Sequence, residues 1–267
     1  MAPTIVLITG ANRGIGKGIL ELYLKKPDHT VIAANRDPSH VSSLTLADLP
    51  KAEGTTLHVI KIDALSPTDP AAGVETLTTK GITHIDILIA NAGIALSWSK
   101  VTEVKVADIQ KHIDVNIYGF IYLYQAFRSL LKDAQAPKWV TIGSSSAFLT
   151  WNVYIGLFRL GGWLFIPGLE HVNFVRMQNA AYAPTKAVQH WYTKAISVED
   201  TWLNAFPIDP GWVQTDLGNR GAKAFSFEKA AVTVEDSAAG LIKVIDASTL
   251  ETHSGKLFKF DGDEEPW

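Results

Sequence analysis

The sequence predicts an α/β fold in which seven parallel strands form one doubly wound sheet. Short runs of β-branched and aliphatic residues alternate with longer segments of helical periodicity, which is typical of successive βαβ units. The first apolar run, residues 5–8, is uninterrupted, as expected for a strand that helices bury on both faces. No linker and no internal repeat divides the chain, so residues 1–267 are expected to form a single domain.

The predicted elements follow in a regular order. After the strand at 5–8 comes a helix whose apolar positions 15, 19 and 22 share one face. Further strands are predicted at 30–34, 57–62, 85–89, 139–142, 203–208 and 256–260. Long helical patterns cover 106–132, 180–202 and 234–247. Parallel strands need crossover connections, so these helices are expected to lie on the faces of the sheet.

Composition excludes several classes of function. Lys and Arg total 24 and Asp and Glu total 27, so the net charge of −3 predicts no nucleic-acid partner. Cysteine is absent, which removes disulfide frameworks, thiol nucleophiles and cysteine-ligated metals. The eight histidines never have the spacing of a helical metal pair, so no metal is predicted.

Two further features concern the compartment. The uncharged stretch 139–158 contains too many Ser, Thr and Asn residues for a spanning helix, so no membrane span is predicted. The N-terminus has no signal-peptide pattern, and the lack of cysteine suits a reducing environment. A cytoplasmic location is therefore expected.

A glycine-rich turn, T-G-A-N-R-G-I-G over residues 9–16, follows the first strand and opens the first helix. Small residues let backbone N–H groups approach an anion at a helix N-terminus, where the helix dipole favours negative charge. The alternative is a tight turn without a ligand, but the position between strand and helix favours nucleotide binding. The predicted phosphate-binding residues are Gly10, Asn12, Arg13, Gly14, Ile15 and Gly16.

This turn resembles the TGxxxGxG motif of the short-chain dehydrogenase/reductase family, which has a Rossmann fold. Asn91-Ala92-Gly93 resembles the family's NNAG motif, with Ala90 in place of the first Asn. The segment P-G-W-V-Q-T-D at 210–216 resembles the family's nicotinamide-contacting segment. The resemblance covers essentially the whole chain. Within the family, the 209–216 segment and the ending at 261–267 resemble fungal polyketide ketoreductases of the norsolorinic-acid ketoreductase type, which act in secondary metabolite biosynthesis.

The resemblance implies that a nicotinamide cofactor binds at the carboxyl edge of the sheet. Asp63 matches the position that holds the adenine ring. Beyond the glycine turn, the implied cofactor-binding residues are Asn35, Arg36, Asp63, Asn91, Ala92, Gly93, Tyr182, Lys186, Pro210, Gly211, Val213 and Thr215.

Charge at the end of the second strand predicts NADP(H) rather than NAD(H). A carboxylate there would bind the ribose 2′-hydroxyl of NAD, whereas an arginine accommodates a 2′-phosphate. The chain has Arg36 at this point, and Arg13 in the glycine turn offers a second guanidinium. Asp37 is expected to point elsewhere. The alternative is that both arginines are merely solvated surface residues.

Tyr182 and Lys186 form a Tyr-x-x-x-Lys pair at the start of the long helix before the sixth strand. A spacing of four places both side chains on one helix face. A neighbouring ammonium is expected to lower the pKa of the phenol from its ordinary value of about 10. The resemblance implies that Tyr182 is the proton donor and that Lys186 also holds the nicotinamide ribose.

Two further catalytic residues are implied by the resemblance. Ser144, at the end of the fifth strand, would hydrogen-bond the substrate carbonyl, with Ser145 as the alternative one position on. Asn116 matches the helix asparagine that holds a water in the proton relay. A buried asparagine bonded only to backbone is its alternative.

The segment between Ser144 and Tyr182 is longer than in many family members. Its residues 148–179 are rich in aromatic side chains, Trp151 among them, and are interpreted as an insertion that forms a substrate lid. A subunit contact, a membrane-surface patch and ordinary core packing are the alternatives. The predicted substrate contacts are Ser144, Trp151, Tyr182 and Trp212.

Together these features predict an NADPH-dependent ketoreductase. It would reduce a bulky aromatic or polyketide ketone by direct hydride transfer, with Tyr182 giving the proton. The alternatives are an NADP(H)-binding protein of this fold that catalyses an isomerisation or cyclisation, and a nucleotide sensor without turnover. The expected partner is a small-molecule carbonyl or alcohol substrate. A homo-oligomer (dimer or tetramer) and a monomer both stay open, because the long segment can block the usual helix-pairing surface.

Overall fold

A computed structural model describes residues 2–148 and 178–267 of the chain. The described strands are β1 (Thr4–Thr9), β2 (His29–Asn35), β3 (Thr56–Lys61), β4 (Ile87–Ala90), β5 (Lys138–Ile142), β6 (Asn204–Asp209), β7 (Leu257–Lys259) and β8 (Glu264–Glu265). The described α-helices are α1 (Gly14–Leu24), α2 (Val41–Leu44), α3 (Asp69–Thr79), α4 (Val106–Ile113), α5 (Gly119–Lys132), α6 (Ala183–Glu199), α7 (Asp216–Ala224), α8 (Val234–Ala247) and α9 (Leu250–His253). The predicted lid at 148–179, with Trp151, lies almost entirely outside the described residues.

The strands form one sheet in the order β3-β2-β1-β4-β5-β6-β7-β8. The first seven are parallel, and β8 runs antiparallel to β7. The chain moves outward from β1 in one direction and then returns to place β4 on the other side of β1. Ligands of doubly wound sheets bind at this switch point, outside the carboxyl ends of the strands. The predicted seven-stranded parallel sheet is confirmed.

Two apolar cores cover the two faces of the sheet. Strand residues alternate between the faces, so Val6 and Ile8 pack in the core that contains apolar residues of α1 and α8. Leu7 points the other way, into the core that contains apolar residues of α3, α5 and α6. Each side chain of this kind contributes about 1.5–3 kcal/mol when it is fully buried. The sheet is therefore a rigid support for the residues at its carboxyl edge.

Several elements differ from their predicted bounds. The helical pattern at 106–132 is interrupted by one π-helical turn, Asp114–Tyr118, between α4 and α5. The helix predicted at 180–202 is α6, which has Pro184 in its first turn. The sequence interpretation missed α2, α3, α7, α9 and the two-residue β8. Two internal glycines, Gly218 and Gly221, lower the helix propensity of α7, so its existence depends on tertiary packing.

Within residues 2–148 and 178–267, no helix combines the length and apolarity that crossing a membrane requires.

Candidate active site

The glycine turn folds tightly against itself at the start of α1. Gly10 and Gly14 have φ values of +64° and +54°, in the left-handed region that favours glycine. A methyl group on Gly16 would collide with the carbonyl oxygen of Gly10 and lie 2.5 Å from Nδ2 of Asn91. Arg13, the N-cap residue of α1, makes no side-chain capping bond. The N-terminal N–H groups of α1 are therefore open to an anion.

The residues that follow β4 hold this turn in place through hydrogen bonds. The Thr9 hydroxyl accepts hydrogen bonds from the backbone N–H groups of Asn91 (3.0 Å) and Ala92 (2.9 Å). The Asn91 side chain donates to the carbonyl oxygens of Thr9 (2.8 Å) and Gly10 (3.3 Å). Asn91 thus fixes the shape of the turn. Two residues further on, Gly93 lies close to Asn116, because a methyl group on Gly93 would be 3.3 Å from Oδ1 of Asn116.

Polar groups gather at the end of β2, where a second part of a dinucleotide would lie. Asn35 is buried and donates to the Ser43 hydroxyl at 3.2 Å, but its Oδ1 has no partner among the described residues. Arg36 is exposed, and the described residues offer it no hydrogen bond or ion pair. Asp37 accepts from the N–H and hydroxyl of Ser39 (2.9 and 2.6 Å), and these bonds lower its pKa. The Asp37 carboxylate is thus engaged with Ser39.

The remaining predicted residues of this region are placed as follows. The guanidinium of Arg13 lies 3.7 Å from the Asp216 carboxylate, and both side chains are largely exposed. Such an exposed pair contributes little and can open to admit a ligand. Asn12 donates to the Ser42 hydroxyl at 2.7 Å, and Asp63 accepts from the N–H of Leu65 at 3.0 Å. Ile15 packs against the core on the α1 side of the sheet.

Ser144 and Tyr182 meet at the carboxyl end of β5. The Ser144 hydroxyl lies close enough to the Tyr182 phenol to lower its pKa, and it lies 2.8 Å from the Ser146 hydroxyl. The neighbouring Ser145 turns instead to Asp209, whose Oδ1 accepts from the Ser145 N–H at 3.0 Å. The geometry therefore favours Ser144 over Ser145 as the partner of the phenol.

Lys186 is buried behind this pair. Its Nζ donates to the carbonyl oxygen of Ile142 at 2.7 Å and to Oε1 of Gln189 at 2.8 Å, and it lies 5.8 Å from the centre of the Tyr182 ring. Burial lowers the pKa of Lys186 to about 8, and the negative charge of Asp209 opposes that shift.

The prediction of a lowered pKa for the Tyr182 phenol is wrong for this geometry. Burial is the largest influence and raises that pKa, and Asp209 raises it further. The Ser144 hydrogen bond lowers it but does not compensate. The ammonium of Lys186 donates to Ile142 and Gln189, and no lowering by this ammonium opposes the effect of burial on the phenol pKa.

Asn116 lies in the π-helical turn, fully buried. Its Oδ1 accepts from the N–H of Ile94 (2.9 Å), and its Nδ2 donates to the Ile94 carbonyl oxygen and to the Thr185 hydroxyl (both 3.0 Å). The side chain therefore joins the loop after β4 to α6. Its backbone carbonyl oxygen accepts from Nε2 of Gln189 at 2.6 Å.

The segment after β6 lies over the glycine turn. Gly211 has a φ of +76°, and a methyl group on Gly14 would lie 3.1 Å from Cγ2 of Thr215. Thr215 caps α7 by accepting from the N–H of Gly218 at 3.0 Å. The Trp212 ring packs edge-to-face on Phe227, with ring centres 5.4 Å apart. The other two predicted residues of the segment are Pro210 and Val213, both buried.

Sequence reasoning missed three buried residues of the site. Asp209 accepts from the Ser145 and Gly211 N–H groups and ties the ends of β5 and β6 together, and burial raises its pKa to about 6. His190 accepts from the N–H of Ser144 at 3.3 Å, and burial lowers its pKa to about 3. Gln189 bridges Lys186 and Asn116. Helical spacing from Lys186, three positions for Gln189 and four for His190, is the signal that could have found two of them.

The described part of the chain has no group of three His, Asp or Glu side chains that could hold a metal ion. A dinucleotide fits its features better. At Gly16 the backbone leaves no room for a side chain, and the N-terminus of α1 is open. At the end of the neighbouring strand β2, the buried Oδ1 of Asn35 lacks a partner among the described residues.

Comparisons with known proteins agree with this arrangement. A family model described as short chain dehydrogenase matches residues 4–156. Norsolorinic acid ketoreductase of Dothistroma septosporum is 37% identical over 269 residues, which cover 99% of this chain and 92% of that protein. A short-chain dehydrogenase of Neurospora crassa is 39% identical and covers 99% of this chain and 98% of its own length.

Solved structures share the fold. The NADPH-bound carbonyl reductase from chicken fatty liver has a TM-score of 0.78 at 23% identity, and the alignment covers 100% of both chains. Carbonyl reductase Sniffer of D. melanogaster also has a TM-score of 0.78, at 22% identity over 100% of both chains. With the family model, the relatives and the site geometry in agreement, this chain belongs to the short-chain dehydrogenase family of oxidoreductases.

Proposed function

We propose that this protein is an NADPH-dependent ketoreductase that reduces a bulky aromatic or polyketide ketone. The observation that carries the proposal is the placement of the Ser144 hydroxyl beside the Tyr182 phenol, with the buried Lys186 ammonium next to them. Two hydroxyls at one point can bind a carbonyl oxygen together, which is the arrangement that reduction of a ketone needs.

Each residue then has a defined part in the reaction. A bound nicotinamide supplies the hydride. Ser144 orients the carbonyl oxygen by a hydrogen bond, and Tyr182 gives its phenolic proton to the alkoxide that develops on that oxygen. Lys186 has one N–H left after bonding Ile142 and Gln189, and that N–H would hold the nicotinamide ribose. Burial raises the pKa of the phenol, so its proton leaves only when a much stronger base, the developing alkoxide, forms beside it.

The nature of the ketone is supported by two observations. Relatives that match nearly the whole chain are named norsolorinic acid ketoreductases. Trp212, on the segment after β6, forms an aromatic pair with Phe227, which follows α7. We extend the proposal to the predicted lid at 148–179, whose Trp151 would add to this aromatic surface, to a role in secondary metabolism, and to a cytoplasmic location.

The function is tested by following NADPH consumption with a panel of aromatic polyketide ketones and small aliphatic ketones. We expect consumption that depends on the ketone, with a higher kcat/KM for the aromatic ones. Conversion of a substrate without NADPH consumption would favour an isomerisation or cyclisation. NADPH binding with no conversion of any compound would favour a sensor, and either result would overturn the ketoreductase.

Cofactor choice gives a separate prediction. Arg36→Gln is expected to lower kcat/KM for NADPH by about 10–100-fold, because a charge-assisted bond to the 2′-phosphate contributes about 1.5–3 kcal/mol. The value for NADH, which has no 2′-phosphate, should not change. Lys25→Gln removes an exposed cation at the opposite end of α1 and is the matched control. Steady-state kinetics with both cofactors decide the matter, and equal losses with NADPH and NADH would rule out this role for Arg36.

A further inference from the structure

A side-chain bridge runs behind the phenol, on the buried side of the site. Nζ of Lys186 donates to Oε1 of Gln189 at 2.8 Å, and Nε2 of Gln189 donates to the carbonyl oxygen of Asn116 at 2.6 Å. Both Lys186 and Gln189 are buried, with 4% and 2% of their surfaces exposed. The bridge thus connects α6 to the π-helical turn without contact with solvent.

The two neighbours of the Gln189 amide fix its orientation. An ammonium only donates hydrogen bonds, and a carbonyl oxygen only accepts them. The amide oxygen must therefore face Lys186 and the amide nitrogen must face Asn116. The reverse orientation would place N–H groups against the ammonium and leave two acceptors facing each other.

The rest of the local structure is built around this bridge. Asn116 cannot reach Lys186 with its own amide, because that side chain is bonded to Ile94 and Thr185. The π-helical turn presents the Asn116 carbonyl oxygen toward α6, and turns of this kind are frequent at functional sites. The Gln189 amide accepts from the ammonium and donates to the carbonyl oxygen of Asn116.

We infer that Gln189 is a positioning residue, which fixes the Lys186 ammonium for the proposed reduction through a permanent bridge to the Asn116 backbone. The inference rests on the proposed function for its role in turnover. With Ile142 and Gln189 engaged, the ammonium has one N–H left for the reacting side of the site. An uncharged acceptor holds the ammonium there without neutralising it.

The charge state of Lys186 is the property that Gln189 should control. The titratable groups that act on or contact this region are Asp209 at the end of β6, Tyr182 at the N-cap of α6 and His190 on α6 itself. Asp209 favours the ammonium, burial disfavours it, and His190 is neutral at pH 7 because its pKa is depressed. If the Gln189 acceptor is lost, the lowering of the Lys186 pKa by burial would be less opposed.

The test is an NMR titration of ¹³Cε-labelled lysine in the full chain without cofactor, with the Lys186 signal assigned from Lys186→Met. Gln189→Met conserves volume but removes the acceptor, and we expect the Lys186 pKa to fall by about one unit. Gln189→Glu restores an acceptor, so the pKa should return to the wild-type value or exceed it. In turnover, the alkaline limb of the kcat profile should move in the same direction as each pKa.

Thr193→Val is the matched control. Its hydroxyl donates to the backbone carbonyl oxygen of Gln189 at 2.7 Å, on the same buried face but away from the ammonium. This variant should leave the Lys186 pKa unchanged. An unchanged pKa in Gln189→Met, or an equal fall in Gln189→Glu, would overturn the inference. Failure of the proposed function would show separately as the absence of ketone-dependent NADPH consumption, and the lysine titration would still decide the role of Gln189.

Discussion

Tyr182→Phe is expected to lower kcat for ketone reduction by about 10²–10⁴-fold, the usual contribution of a positioned general acid. The variant removes one oxygen atom and keeps the ring, so the packing at the start of α6 should survive. The loss in kcat arises from the missing proton donor, because Ser144 alone would then face the developing alkoxide. The free energy of NADPH binding should change little, since the proposed phosphate contacts lie on α1 and at the end of β2.

Single-turnover kinetics and fluorescence titration with NADPH separate the two effects. Tyr192→Phe is the matched control, because Tyr192 lies on the same helix and is half-buried, next to Trp191. The control should keep wild-type turnover. Near-normal turnover by Tyr182→Phe would show that another group supplies the proton, and a parallel loss of NADPH binding would show that the phenol serves mainly the cofactor.

Gly16→Ala is expected to raise the Kd for NADPH at least about tenfold and to lower the free energy of unfolding by about 1–3 kcal/mol. Gly16 does not have a positive φ, so alanine can adopt its backbone conformation and the expected effect is steric. The added methyl group would press on the carbonyl oxygen of Gly10, and backbone cannot move aside as a flexible side chain can. The same methyl group would displace Nδ2 of Asn91, which holds the turn against β4.

Urea denaturation and NADPH titration measure the two quantities on the same samples. Lys17→Ala, one residue away, is the control, since it removes only a half-exposed ion pair with Glu21 on the outer side of α1. That control should stay within a few tenths of a kcal/mol of wild type. Wild-type NADPH affinity in Gly16→Ala would mean that the phosphates bind elsewhere.

The sheet and the glycine turn could be predicted from the sequence because their signals are local. Uninterrupted apolar runs specify strands buried on both faces, and the turn residues stand directly between one strand and one helix. The order of seven strands was therefore recovered, whereas β8 has only two residues and no hydrophobic pattern. The π-helical turn was invisible for a different reason, because it is a change of backbone hydrogen bonding inside a continuous helix that no residue type marks.

The site was only partly predictable. Motif spacing brings Tyr182 and Lys186 together, but it does not say how deeply they are buried, and burial decides the direction of both pKa shifts. Asp209 and His190 act through contacts with the Ser144 loop, which lies far from them in sequence. Their contacts depend on tertiary packing: helical spacing from Lys186 could have suggested His190, whereas no local pattern encodes Asp209.

The short strand β8 limits how two copies of this protein can associate through this edge of the sheet. β7 would otherwise present an unpaired row of backbone donors and acceptors, which invites another chain to add a strand. Instead β8 covers it with Glu264 and Glu265, while Lys259 forms ion pairs with Asp261 and Asp263 beside it. A second molecule would have to extend the sheet over two residues that both carry carboxylates. This edge is thereby protected against fibre-like aggregation.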